Sequence, residues 1–319
     1  MAGWQSGYAA ACKAVYAGSI PASASKYKLG ELVAMKVRVC IVGYGFVGSA
    51  LANSFNKDVA LLKIDPKLKT SMDDIKDFLP DITFVCVPTP MKKDGDQDVD
   101  ILNSVLIKLN NLKTKSSIII KSTVLPKNLK SIQEKYSKIV YNPEFLREKH
   151  AEFDFKNANF HIFGGDNNEC KKVSNFYNEN TSVTGEHIFM DILSASFLKY
   201  TINSFLSLKV IFFNELYDLY IKNKFDYSWD DFIQVLKKDK RMGDSHMDVP
   251  GHDERRGYGG ACFPKDSNAF YNFSLKENSE LSLLKKSINI NNKYRSRYNT
   301  ASKREIEQNI SFNNIEENN

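Results

Sequence analysis

The chain has 319 residues, 42% hydrophobic and 26% charged, with a formal net charge of +6. This composition suits a soluble globular protein of about two domains. No apolar run approaches the roughly 18–20 residues of a membrane span. The lysines are scattered among nearly as many acids, without the aromatic-interleaved basic stripe of a nucleic-acid binder. Five cysteines (Cys12, Cys40, Cys86, Cys170 and Cys262) are odd in number and widely spaced. That spacing argues against a zinc site or a disulfide framework and points to a reducing, cytoplasmic setting.

Residues 1–34 are rich in Ala, Ser and Gly and lack the basic start and apolar core of a secretory signal. They read as a leader upstream of a functional start at Met35. The apolar run Lys36–Gly43 then predicts a strand buried on both faces. A helical pattern follows in FVGSALANSF. Further strands are expected at 59–64, 81–90, 117–124, 138–144 and 159–165, with helices at 98–112, 126–135 and 169–180. This alternation argues for a doubly wound parallel sheet over residues 35–189. One long helix from about Met190 to Tyr220 opens a helical region over 190–296. It is apolar on more than one face and so needs more than one partner. Helices are also expected at 229–239 and about 265–294, and a frayed polar tail over 297–319.

Five motifs carry chemistry. Gly43-Tyr44-Gly45-Phe46-Val47-Gly48 lies between a strand and a helix. There the first glycine permits the tight turn, the second admits a pyrophosphate and the third lets the helix pack on the strand. Asp65 at the end of the second strand can take ribose hydroxyls and repels a 2′-phosphate, favouring NAD over NADP. The loop Val87-Pro88-Thr89 ends the third strand, where such sheets bind ligands, and Lys121-Ser122-Thr123 ends the fourth. Glu144 and Glu148 are spaced to share a helix face, either as a solvated helix start or as paired carboxylates near a cofactor. Lys199 and Asn203 share a face of the long helix among apolar neighbours. They fit a helix–helix hydrogen bond or an oxyanion site. Finally, in Gly259-Gly260-Ala261-Cys262-Phe263-Pro264-Lys265-Asp266 the glycines let backbone crowd a substrate. Cys262 reads as a nucleophile favoured by Lys265 or a helix N-terminus, or else as a small buried cysteine.

Together, VGYGFVGSALA, CVPTP, KSTVLP, YNPEFLRE, FLKYTINSF, FFNEL and PGHDERRGYGGACFPKD resemble the UDP-glucose/GDP-mannose dehydrogenase family from about residue 36 to 297. The resemblance implies a Rossmann-type NAD-binding domain followed by a helical central domain, with a homodimer built on helix 190–220. It also implies double oxidation of a nucleotide-sugar primary alcohol by NAD, without nucleic acid or membrane. Cys262 would form a thiohemiacetal and then a thioester. Lys199 and Asn203 would steady the oxyanion, Glu144 would activate the hydrolytic water, and Asp266 would support lysine and water. Thr123 and Glu148 would lie on the nicotinamide side. Phe145, Leu146, Gly259 and Lys265 would line the sugar pocket, and Arg256 would be lent by a dimer partner.

Two departures stand out: Ser196 occupies a position where the family often has Glu, and a third, nucleotide-holding domain is not visible in the sequence. UDP-N-acetylmannosamine or GDP-mannose oxidation, a two-electron hydroxy-acid dehydrogenase that needs no Cys262, and a non-catalytic NAD-binding remnant therefore stay open as alternatives.

Overall fold

The computed structural model describes residues 36–312. The leader expected over 1–34 and the end of the tail lie outside them. Seven strands form one sheet in the order β2-β1-β3-β4-β5-β6-β7: β1 Val37–Val42, β2 Val59–Ile64, β3 Ile82–Val85, β4 Ser117–Ile120, β5 Ile139–Tyr141, β6 Phe160–Gly165 and β7 Glu186–Met190. The chain moves from β1 to β2 on one side and then places β3 on the other side of β1. That is the strand-order reversal at which doubly wound sheets form a ligand crevice.

Alternation along the strands explains their continuous apolarity. Val39, Ile41, Phe84, Ile119 and Val140 pack on one face, whereas Cys40, Val42, Val85 and Ile120 pack on the other. Each such fully buried side chain contributes about 1.5–3 kcal/mol. The first face is covered by α1 (Phe46–Ala52), α5 (Ala151–Lys156) and α6 (Asn167–Asn180); the second is covered by α3 (Asp100–Asn111) and α4 (Pro126–Lys135). The remaining short helix before them, α2, spans Ile75–Phe78.

The sheet departs from the all-parallel expectation at β6, which runs antiparallel to β5 with Tyr141 opposite Gly164. Alternating element types do not encode strand direction, so the sequence could not show this reversal. The seventh strand was also missed. Glu186–Met190 is short and partly exposed, and in the sequence the long-helix pattern begins at Met190. The boundary is set by Asp191, whose carboxylate accepts from the amides of Leu193 and Ser194 and so starts α7, Ile192–Asn223, as its N-cap.

Helix α7 spans 32 residues and packs on β6, α4 and the later helices α9 (Phe263–Lys276) and α10 (Ser282–Arg295). Helix α8 (Trp229–Leu236) closes a smaller aromatic cluster with Phe213, Tyr220 and Trp229. The single helix expected over 265–294 is broken after Lys276, where Asn278 adopts a left-handed φ of 55°. The expected frayed tail is folded as far as it is described. Ser302 caps a short helix, α11 (Lys303–Glu307), and Glu305 within it is fully buried. Among the described residues no helix is long and apolar enough to cross a membrane.

Candidate active site

The crevice is floored by loops at the carboxyl ends of β1, β3, β4 and β5. At Gly43 φ is +93°, and a Cβ there would lie 2.6 Å from the Cys86 carbonyl oxygen, so the β1 and β3 loops touch only because this residue is glycine. A Cβ at Gly48 would sit 2.3 Å from the Gly43 oxygen, which keeps α1 tight on its strand. Gly45, by contrast, faces open space and is exposed. Asp65 is tied to this turn. Its Oδ2 accepts from the Tyr44 amide at 2.8 Å, and its Oδ1 accepts from the Lys67 amide at 2.8 Å. Phe46 and Val47 follow at the start of α1.

In the next loops, Val87 and Thr89 are buried and Pro88 is exposed. The Thr89 hydroxyl donates to the Thr123 carbonyl at 2.8 Å, joining the β3 and β4 loops. Gln97, which no sequence motif singles out, donates to the same carbonyl at 2.8 Å and to the Tyr200 hydroxyl at 3.0 Å. Ser196, the departure noted above, is fully buried and its hydroxyl donates to the Val124 carbonyl. The small residue thus ties α7 to the same loop. Lys121 is buried with Nζ donating to Asn142 Oδ1 at 2.8 Å and to the Asn142 carbonyl. Burial drives its ammonium down to about 8, although Cys86 and Glu144 oppose the change. Lys121 thereby fixes the chain just before Glu144.

The expected pairings at the centre are rearranged. Lys199 and Asn203 do share a face of α7, but each is held by a different acid. Lys199 Nζ donates to the Glu144 carbonyl, lies 3.5 Å from Glu144 Oε1, and sits 5.1 Å from the centre of the Phe145 ring. Asn203 donates to Asp266 Oδ2 at 2.7 Å, while Lys265 donates to Asp266 Oδ1 at 2.6 Å. The carboxylate at 266 therefore supports Lys265. Burial alone would lower Lys265, but Asp266, Cys262 and Glu144 together hold it above its usual range. All four of Glu144, Lys199, Asn203 and Asp266 are buried.

Cys262 is the N-cap of α9 and is partly buried. Its thiol is nonetheless pushed up to about 12. Burial is the main cause, Glu144 and Asp266 add to it, and Lys265 and Lys199 oppose it. Burial and the two acids outweigh the cations, contrary to the expectation of a favoured thiolate. In the free protein, Cys262 is therefore expected to react with iodoacetamide at neutral pH about three orders of magnitude more slowly than an ordinary thiol. Its rate should climb about tenfold per pH unit into the alkaline range. Peptide mapping of the alkylated chain checks this, and fast labelling that levels off near pH 8 would contradict it.

Two other expectations are corrected by position: the shared helix face of Glu144 and Glu148, and the ligand-facing role of Gly259. Residues 144–147 are not helical, so Glu144 and Glu148 share no helix face. Glu144 points inward, where Oε2 accepts from the Leu146 amide at 2.7 Å, while Glu148 pairs with Arg304 at 2.7 Å. Gly259 makes room for protein rather than ligand, since a Cβ would lie 2.3 Å from Arg295 Nη2. Gly260 keeps its glycine for a left-handed φ of 77°. Arg256 lies along α7, bonded to Asn214 and paired with Asp218 at 2.9 Å.

Comparison with known proteins defines an NAD-dependent oxidoreductase acting on a CH–OH group. Two family models match the chain: the NAD-binding domain of the UDP-glucose/GDP-mannose dehydrogenase family over residues 63–181, and the central domain of the same family over 193–293. The chain belongs to this family. A UDP-glucose 6-dehydrogenase of Campylobacter jejuni is 32% identical over 276 residues, covering 74% of this chain and 68% of that relative. Several other curated relatives are matched over less than half their length. The solved UDP-glucose dehydrogenase of Pyrobaculum islandicum superposes with a TM-score of 0.66 at 23% identity, over 85% of this chain and 71% of that one. The 3-hydroxyisobutyrate dehydrogenase of Mycobacterium tuberculosis gives 0.61 at 15% identity, over 82% and 94%. Both structural likenesses concern the fold.

Proposed function

We propose that this chain oxidises the primary alcohol of a UDP-sugar, with UDP-glucose the first candidate, to a carboxylate in two hydride steps through Cys262. The observation that carries this reading is that Cys262 opens the helix whose Lys265 and Asp266 join Asn203 in one buried hydrogen-bonded set, with Glu144 and Lys199 buried together beside the same helix-bearing loop. A cysteine packed only for volume would have no such company. The glycine cradle at Gly43 and the Asp65 carboxylate beside it fit NAD, which supplies the hydride acceptor when bound. Gly45, Phe46, Val47, Val87, Pro88, Thr89 and Thr123 would complete its binding surface, with Glu148 at its margin.

The residues then divide the work. The alcohol proton passes to water, and Lys199 and Asn203 stabilise the negative charge left on the sugar oxygen as the alcohol becomes an aldehyde. The Cys262 sulfur adds to the aldehyde carbon, and the thiol proton is transferred to the aldehyde oxygen, giving a thiohemiacetal. Loss of the second hydride and that proton leaves a thioester on Cys262. Glu144 takes a proton from water as the water attacks, releasing the carboxylate and restoring the thiol. Phe145, Leu146 and Lys265 line the space around the reacting carbon. A homodimer through α7 is part of the same reading. It is supported by Phe197, Phe205, Phe212 and Leu219, all more than half exposed along one helix.

The test is a count of NADH formed per sugar across UDP-glucose, UDP-N-acetylmannosamine, GDP-mannose and small hydroxy acids. Two NADH per nucleotide sugar, with the double oxidation lost in Cys262→Ser, supports the reading. One NADH per hydroxy acid, indifferent to that substitution, replaces it with a two-electron dehydrogenase. NAD binding without turnover of any of these sinks it.

A further inference from the structure

The short helix α11 reaches the thiol loop from outside both sheet and helical core. A single turn does not persist in water by itself, so its neighbours hold it. On one side Glu305 is fully buried, and its Oε1 accepts from the Gly260 amide at 3.2 Å and from Arg295 Nη2 at 2.8 Å. Its Oε2 accepts from the Ser302 amide at 2.7 Å. Arg295 is itself buried and donates through Nη1 to Asp253 at 2.7 Å. Gly259 leaves the room this pair occupies. On the other side the preceding residue, Arg304, lies over the Phe46 ring at 5.2 Å and pairs with Glu148 at 2.7 Å. The Gln308 carbonyl accepts from the Met91 amide at 3.0 Å. One turn of helix thus joins the dinucleotide-binding turn to the backbone two residues before Cys262.

We propose that Glu305 is a positioning residue for Cys262, setting the thiol loop through Gly260 and Arg295, with α11 clasped in place by Arg304 at the coenzyme turn. A buried acid–guanidinium pair is costly to desolvate, and fixing one geometry is its best-attested use. Here the geometry fixed is that of a glycine turn with open space on its outer side, which otherwise has freedom to move. The inference rests on reading Cys262 as the nucleophile.

The experiment needs neither coenzyme nor sugar. Full-length Glu305→Gln keeps the shape of the side chain but loses the charge that holds Arg295. Relative to the parent, its Cys262 is expected to be alkylated at least tenfold faster, with the pH profile shifted downward as the loop loosens and the thiol gains water. Cys86 and Cys170, mapped in the same digest, are expected to keep their rates. Arg304→Gln releases the same helix from its other side and moves Cys262 in the same direction by a smaller factor. It also serves if Glu305→Gln does not fold. An unchanged Cys262 profile in the folded variants overturns the proposal, and so does an equal acceleration of all three cysteines, which marks general loosening. A shifted profile in a chain that oxidises no nucleotide sugar would keep Glu305 in its place and refute the catalytic reading instead.

Discussion

Replacing Asp266 by Asn is expected to lower turnover by a factor on the order of 10²–10³ and to destabilise the fold by about 3–5 kcal/mol. Both effects have one cause. Asp266 is 1% exposed and accepts from two donors, Asn203 and Lys265. An amide in its place offers one acceptor and one donor, so one of the two partners meets a like group. If that partner is Lys265, a buried ammonium loses the carboxylate that holds it charged. If it is Asn203, the amide proposed to face the sugar oxygen is free to turn away. The substitution also removes one of the two acids acting on Cys262, so the thiol should titrate lower. Steady-state kinetics, a thermal melt and the alkylation profile of Cys262 test the three consequences. Turnover within tenfold of the parent would mean that the carboxylate is merely structural.

Glu144→Gln is expected to separate the two halves of the reaction. Glu144 adds to the upward push on Cys262, so its removal eases thiol addition, whereas water loses its proton acceptor. The expected signature is a rapid burst of NADH, followed by a steady rate lower by about 10²–10⁴, with the sugar retained on Cys262 as an ester. Intact-protein mass spectrometry reads the adduct directly. A uniform slowing without burst or adduct would place Glu144 before the thioester and remove it from hydrolysis. Lys199 would also lose its ionic partner while keeping the Glu144 carbonyl as acceptor, so its position should survive the change better than its charge balance.

Much of the scaffold was readable because local rules set it. β2 occupies 59–64 and α4 occupies 126–135, as the sequence indicates, the latter because Pro126 fits the first turn of a helix and no other helical position. The apolar strands were readable because both faces of the sheet are covered. What escaped was pairing between distant residues. Four-residue spacing placed Lys199 beside Asn203 but could not show that Glu144 claims one and Asp266 the other. Likewise Gln97 lies in a polar stretch with no periodicity, and only the fold brings it under Thr123. Glu305 sits among Lys, Arg and Glu that read as solvated tail. Its burial depends on Arg295, ten positions earlier, and on the missing side chain at Gly259. The thiol's protonation was misjudged for a related reason. Burial, the main cause, comes from the fold, and Glu144 approaches from another strand end, whereas Lys265 lies three residues on and is visible.

That protonated thiol has a bearing on how the protein weathers air and peroxide. Oxidants attack the sulfur anion, so a cysteine kept neutral resists conversion to sulfenic acid. The burial that raises the Cys262 thiol, helped by Glu144 and Asp266, thereby also shelters it from oxidation.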